Sequence, residues 1–356
     1  MAFEASFFLA AVFAVAATFL CLSTAAATAA SGFVVPSIAF DEGFSPLFGD
    51  DNLVRSSDGK SVRLLLDRRS GSGFISSDYY LHGFFSASIK LPKAYTAGVV
   101  VAFYLSNGDV YEKTHDELDF EFLGSRWGGQ WRVQTNVYGN GSTARGREER
   151  YLLPFDPTLE AHRYSVLWAP THIIFYIDDT PIREVIRHTG MGGDFPAKPM
   201  AVYATIWDGS AWATDGGKYK VNYKYAPFAS EFTDLALHGR RADPVLRAPR
   251  GRDEPDLLFR LLTADYAVMT PQKRAAMRAF RGRHMTYTVC YDAVRYADGP
   301  FPECDNSYVE KESFSAWGES KNVVLKARGG RGRRRGRKAG AGAGAGAIGR
   351  LDVSSS

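Results

Sequence analysis

Eight consecutive residues, His115-Asp116-Glu117-Leu118-Asp119-Phe120-Glu121-Phe122, set carboxylates at alternate positions. On a β-strand successive side chains point to opposite faces, so His115, Glu117, Asp119 and Glu121 share one face. Leu118, Phe120 and Phe122 fall on the other, where they can pack between sheets. Like charges stacked this closely repel. Such a cluster makes at least one carboxyl keep its proton near neutral pH. A retaining glycosidase needs that division: one ionised carboxylate as nucleophile and one protonated carboxyl as acid, about 5–5.5 Å apart. Residues i and i+4 on a flat strand have Cα atoms about 13 Å apart, so a concave sheet and two flexible Glu side chains must close the gap. Asp119 between them can hydrogen-bond the nucleophile and hold the two proton affinities apart. From spacing alone, an exposed acidic strand face and a calcium site remain open alternatives, although calcium favours ligand-rich loops over an apolar-alternating strand.

The surrounding chain must supply strands to carry that face. Short alternating or apolar runs recur from Phe33 to about Leu237: Val62–Leu66, Gly83–Leu91, Ala97–Tyr104, Leu118–Leu123, Trp131–Tyr138, Arg163–Trp168, Ile173–Ile177, Met200–Ile206 and Asp234–His238. Turn residues punctuate them, as in Gly71-Ser72-Gly73, Ser106-Asn107-Gly108-Asp109, Gly139-Asn140-Gly141 and Asp178-Asp179. Many short strands without βα alternation predict an all-β sandwich or jelly roll over 31–238. Residues 239–260 are rich in Arg, Asp and Pro and read as a linker. In the extension at 261–325, Pro271 suits a helix start, and Ala275, Ala276 and Ala279 favour a helix over Thr270–Phe280. Thr286–Tyr291 reads as a last strand.

The ends differ from the middle. Phe7 to Leu22 is nearly all apolar and a run of small residues follows, which reads as a signal peptide over 1–30 even though Glu4 and no Lys or Arg precedes it. The stretch is short for a membrane span and lacks a basic stop-transfer flank. Residues 326–356 hold nine of the Lys and Arg residues and one acid, Asp352, in a Gly/Arg/Ala-rich tail that cannot bury a core and reads as disordered. The formal net charge of +4 therefore hides a mildly acidic globular part with no electrostatic reason to bind nucleic acid. The run Arg331-Gly332-Arg333-Arg334-Arg335-Gly336-Arg337-Lys338 could bind RNA, but export would keep it from RNA, and contact with acidic polymers outside the cell or no function at all fits better. Of three cysteines, Cys21 leaves with the signal, and an exported chain is expected to bond Cys290 to Cys304. No His or Cys stands at zinc spacing from them. Asn140-Gly141-Ser142 is a glycosylation sequon on an expected turn.

The segment from His115 to Gly124 closely resembles the signature of the plant xyloglucan endotransglucosylase/hydrolases of glycoside hydrolase family 16, and of their third subgroup in detail. The resemblance covers roughly residues 36–320: Leu47-Phe48-Gly49, Gly71-Ser72-Gly73-Phe74, Gln134-Thr135-Asn136-Val137, Trp168, Pro181-Ile182-Arg183, Ile206 through Thr214, and Tyr291 through Cys304. It implies a concanavalin-like jelly-roll sandwich with a short C-terminal α/β extension, and it assigns Glu117 as nucleophile, Asp119 as helper and Glu121 as acid/base. It also implies that Gln134, Thr135, Asn136, the Gly146-Arg147-Glu148 turn, Ala211, Trp212, Gly216 and Arg295 contact donor or acceptor sugar. Amide side chains suit sugar hydroxyls and indoles suit apolar sugar faces; alone, Trp207 and Trp212 would more often be core and Arg295 an ordinary surface ion-pair residue.

Two departures stand out. Many members carry a sequon directly after the catalytic strand, where Ser125-Arg126-Trp127 cannot serve, so Asn140 is the place for a sugar. A further disulfide beginning just after His238-Gly239 is missing, both partners together. The resemblance implies an exported enzyme of the cell wall and apoplast, without metal or cofactor, that cuts the β-1,4-glucan backbone of xyloglucan through a covalent glycosyl-enzyme. The intermediate then passes to another xyloglucan chain or oligosaccharide, or to water in a hydrolase. A wall-polysaccharide-binding protein without catalysis is a third reading, weakened because all three carboxylates are present.

Overall fold

A computed structural model describes residues 35–250, 257–292, 295–296, 301–304 and 311–312. The segment read as a signal peptide and the basic tail lie outside the described residues. The alternating runs form two antiparallel sheets. One has eight strands in the spatial order β1 (Phe44–Phe48), β4 (Ser72–Ser76), β13 (Ala201–Asp208), β6 (Val99–Ser106), β7 (Glu117–Leu123), β8 (Arg132–Tyr138), β9 (Glu149–Leu152) and β15 (Met285–Thr288). The other has seven: β12 (Thr180–Ile186), β11 (His172–Ile177), β10 (His162–Trp168), β5 (Tyr79–Lys90), β14 (Phe228–Ala242), β3 (Ser61–Leu66) and β2 (Leu53–Arg55). Strands distant in sequence lie side by side, β4 with β13 and β5 with β14, as Greek-key crossings of a jelly roll require.

The apolar faces of the two sheets meet in an aromatic layer. Phe120 meets Phe175 edge-on at 5.2 Å, Phe122 meets Tyr164 at 4.6 Å, and Phe74 meets Phe232 at 5.5 Å. Edge-to-face pairs at these separations add to the burial of the rings themselves, which is worth about 1.5–3 kcal/mol per fully buried side chain. This layer fixes which face of β7 is core, and hence which face carries the carboxylates.

The segment read as Asp234–His238 is part of a longer strand, β14, that runs on through Ala242 into the stretch read as linker. Its register shifts between Thr233 and Ala236 and again between Gly239 and Arg241. Each bulge inserts residues that break the period of two, so the pattern shows only a fragment of the strand. Farther on, Leu257–Thr263 is helical (α1), spanning the end of the stretch read as linker and the start of the extension.

The extension docks on the edge of the eight-stranded sheet. Its second helix, α2 (Pro271–His284), begins as the sequence requires: Pro271 stands in the first turn and Thr270 Oγ1 accepts from Lys273 N at 3.2 Å. The helix is held more by ion pairs than by apolar surface. Arg274 pairs with Glu184 and Arg281 with Glu149, while Phe280 is the buried residue that meets Tyr151. β15 then pairs antiparallel with β9. The strand read as Thr286–Tyr291 starts one residue earlier and gives way after Thr288 to a 3-10 turn, Val289–Tyr291.

Candidate active site

β7 alternates as its sequence dictates. Leu118, Phe120 and Phe122 are fully buried in the core. Glu117, Asp119 and Glu121 occupy the opposite face, and His115 lies in the loop just before the strand. Cross-strand register supplies a neighbour to each carboxyl. Glu117 stands between Ser106 of β6 and Tyr138 of β8, Asp119 between Tyr104 and Asn136, and Glu121 between Ala102 and Gln134. Tyr138 donates its hydroxyl to Glu117 Oε1 at 2.5 Å, and Gln134 Nε2 donates to Glu121 Oε2 at 2.5 Å. His115 Nε2 lies 3.0 Å from the Tyr138 hydroxyl and 3.9 Å from Glu117 Oε2.

Burial and mutual repulsion set the three carboxyls apart. Glu117, only 7% exposed, is raised by burial, and this is opposed by hydrogen bonds from Tyr138, Ser106 and Asp119 and by His115. Asp119 is raised well above the ordinary range by burial and then by the charges of Glu117 and Glu121. Glu121 is raised to about 7, by burial first and then by Glu148 and Glu117, against the hydrogen bond from Gln134 and the charge of Arg150. Glu117 therefore has the most groups favouring its ionised form, Asp119 holds a proton that it can share with Glu117, and Glu121 exchanges its proton near neutrality. An ionised carboxylate beside a protonated one is the equipment of retaining glycoside chemistry.

Gln134 and Asn136 stand on this same face of β8. Thr135 does not: it opposes Phe120, is 0% exposed, and its Oγ1 accepts from Arg183 Nη1 at 2.9 Å. Its side chain points away from the carboxylates, contrary to the sugar contact the resemblance implies, because alternation sends neighbours to opposite faces. Trp212 is half-buried and packs 6.0 Å from Trp207, with Val100 and Leu123 beneath them. Leu123 shares a face with Glu121, so the indoles rise from the carboxylate face. Ala211 is exposed, and Gly216 adopts a φ of +65° with open space around it. Tyr104 and Tyr203 stack at 4.9 Å on the other side of Asp119. The sequence reading missed Tyr138, Tyr104 and Arg150; the alternation of Gln134, Asn136 and Tyr138 could have revealed Tyr138.

Comparison with known proteins decides the family. The sequence profile of glycosyl hydrolases family 16 matches residues 40–225, and that of the xyloglucan endo-transglycosylase C-terminus matches residues 261–304. Probable xyloglucan endotransglucosylase/hydrolase protein 28 of Arabidopsis thaliana is 63% identical over 75% of this chain and 80% of its own. Protein 30 of the same series and organism is 60% identical over 82% of this chain and 84% of its own. The chain belongs to the xyloglucan endotransglucosylase/hydrolase family. Its members are retaining glycosyl transferases or hydrolases. Among solved structures, a prokaryotic β-1,3-1,4-glucanase (lichenase) from a mouse hindgut metagenome is 23% identical over 60% of this chain and 100% of its own, with a TM-score of 0.45.

The family's C-terminal extension reaches the site through one short turn. Cys290 and Cys304 are joined, with Cα atoms 5.6 Å apart, and the loop they close grips all three residues of Gly146-Arg147-Glu148. Tyr296 donates its hydroxyl to Gly146 O at 2.9 Å. Arg147 donates to Glu303, lies 4.7 Å from the Phe301 ring centroid, and donates to Asp194 at 3.2 Å. Arg295 forks onto Glu148 at 2.8 and 2.9 Å. Arg147 and Glu148 are both buried, so their side chains are engaged with protein where the resemblance implies sugar. Gly146 is close-packed: a Cβ there would meet the Asn136 amide at 3.2 Å. Asn140 is exposed on the turn after β8, with its backbone N–H held by the buried carboxylate of Asp116 at 2.8 Å.

Proposed function

We propose that this enzyme is a xyloglucan endotransglucosylase, with Glu117 as nucleophile, Asp119 as its helper and Glu121 as acid/base. The observation that carries this reading is three carboxyls in line on one face of β7, with Tyr138 donating to Glu117 and Gln134 to Glu121, in a member of this family. In the first step Glu121 gives its proton to the glycosidic oxygen, the C1–O bond breaks, and C1 bonds to Glu117. In the second, Glu121 takes the proton from the 4-hydroxyl of an acceptor glucan as that oxygen displaces Glu117. Gln134 and Asn136 bind hydroxyls at the reacting sugar, and Trp212, Ala211, Gly216 and Arg295 line the path of the chains. Water competes for the same intermediate, so transfer depends on a held acceptor, where effective molarity rises by orders of magnitude. The paired indoles and the docked C-terminal extension support such a hold. The chain is exported, loses residues 1–30, carries a glycan at Asn140 and works on xyloglucan in the cell wall and apoplast, with the basic tail resting on acidic wall polymers. The test supplies xyloglucan and a labelled xyloglucan oligosaccharide and follows label incorporation beside new reducing ends. Incorporated label with few new ends is expected; reducing ends accumulating at full rate without label make the enzyme a hydrolase.

A further inference from the structure

A continuous chain of polar contacts joins the disulfide loop to Glu121. Arg295 forks onto Glu148. Arg150 Nη2 donates to Glu148 Oε2 at 3.2 Å, and Arg150 Nε donates to Gln134 Oε1 at 2.6 Å. Gln134 then turns its amide nitrogen to Glu121 at 2.5 Å. The bond from Arg150 fixes the orientation of Gln134, since an amide whose oxygen accepts from a guanidinium must present its nitrogen elsewhere. Arg150 is itself stacked 4.8 Å from the Tyr287 ring centroid on β15. Glu148 is buried between two guanidinium groups, and a buried carboxylate persists as a charge only with such partners.

We propose that Glu148 is a positioning residue through which the disulfide loop governs the protonation of Glu121. The proposal rests on the reading of Glu121 as acid/base. Among the described residues, several strands bring groups to Glu121. Glu117 and Asp119 face it from β7, Ala102 and Tyr104 from β6, and Gln134 and Tyr138 from β8. Arg150 lies on β9, Glu148 just before it, and Arg295 on the loop. Among these, the charges of Glu148 and Arg150 oppose each other: the first favours the protonated form of Glu121 and the second the ionised form. Arg295 tempers Glu148 without a contact of its own to Glu121 among the hydrogen bonds described, so the loop acts at second hand.

The sign follows. Removing the charge of Glu148 leaves Arg150 and Arg295 uncompensated, and Glu121 gives up its proton at lower pH. Removing Arg295 leaves Glu148 with one counter-charge fewer, and Glu121 keeps its proton to higher pH. The measurement is the titration of the Glu121 side-chain carboxyl carbon by NMR in full-length protein, assigned by the signal that vanishes in Glu121→Gln. Glu148→Gln should lower the midpoint by about 1 unit, and Arg295→Gln should raise it by about half a unit. The pH dependence of turnover is recorded on the same samples, and its basic limb should move with each midpoint. Should Glu148→Gln fail to fold, Arg295→Gln decides, because Arg295 is partly exposed. Midpoints that stay in place in the folded variants overturn the relay. Midpoints that move while the basic limb stays fixed support the relay and overturn the acid/base role of Glu121 instead.

Discussion

Two acidic sites lie on the eight-stranded sheet, and burial acts on both in the same direction with opposite outcomes. On β7, Glu117, Asp119 and Glu121 face one another, and all three are pushed up. On the opposite face of β9 from Arg150, Glu149 is 4% exposed and burial alone would raise it too, yet Arg281 and Arg183 outweigh burial and hold it down at about 2. Arg281 Nη1 lies 2.6 Å and Arg183 Nε 3.5 Å from Glu149 Oε2, and Thr288 Oγ1 donates to Oε1 at 3.0 Å. The difference is the placement of cations. Where guanidinium groups touch the carboxylate it is a structural clasp; where they stop one residue short, behind Gln134, the carboxyls are held above their ordinary range. In the function proposed above, the first site is costly to the fold and useful to chemistry, and the second is the reverse.

Removing one member of each cluster should therefore separate activity from stability. Glu117→Ala should lower turnover on xyloglucan by about 10⁴-fold or more, with a melting temperature equal to or above that of the unaltered enzyme, since one of three crowded, repelling carboxyls is gone. A variant that keeps near-normal turnover, or melts far lower, breaks the contrast.

Glu149→Gln should do the opposite. It strands Arg281 and Arg183, so unfolding should become easier by about 3–5 kcal/mol in denaturant titration, while molecules that remain folded turn over at near-normal rate. The same pair has a pH signature. Glu149 is depressed from 4.5 to about 2, so its contribution is present above pH 4.5 and lost as pH falls toward 2. Glu121, raised from 4.5 to about 7, contributes below pH 4.5 and loses that contribution as pH rises through 7. Glu149→Gln should flatten the acid side of the stability curve and leave the neutral side unchanged; an unaltered acid side would place the acid sensitivity elsewhere.

The smallest effect expected is at Tyr138. Tyr138→Phe removes the hydroxyl that Glu117 accepts from, a loss of about 1.5–3 kcal/mol for a bond to a charged group. Turnover should fall by about tenfold to a hundredfold with little change in the apparent affinity for xyloglucan. A change in affinity alone would make Tyr138 a sugar contact rather than a support for Glu117.

The carboxylate cluster was legible because its information is local. Leu118, Phe120 and Phe122 against Glu117, Asp119 and Glu121 is one strand's alternation, and the aromatic core confirms which face is which. The clasp was not legible. Glu149-Arg150 reads as surface charge until β12 and α2 bring Arg183 and Arg281 to it, and Arg281 comes from 132 residues away. The same non-locality hid the use of Arg147 and Glu148, whose partners lie on the disulfide loop. Thr135 shows the converse: a matching motif draws in a residue that alternation alone would have set on the core side. The strand β14 was half seen, because its two bulges interrupt the period that reveals a strand.

In the function proposed above, the ionised carboxylate of Glu117 attacks the sugar. The most direct measurement is covalent trapping with a 2-deoxy-2-fluoro xyloglucan-oligosaccharide donor, followed by proteolysis and fragmentation of the labelled peptide in the mass spectrometer. The account predicts one oligosaccharide attached through an ester at Glu117, and no adduct in Glu117→Ala. Attachment at Glu121 or elsewhere, or inactivation that adds no mass to the peptide spanning 117–121, would contradict it.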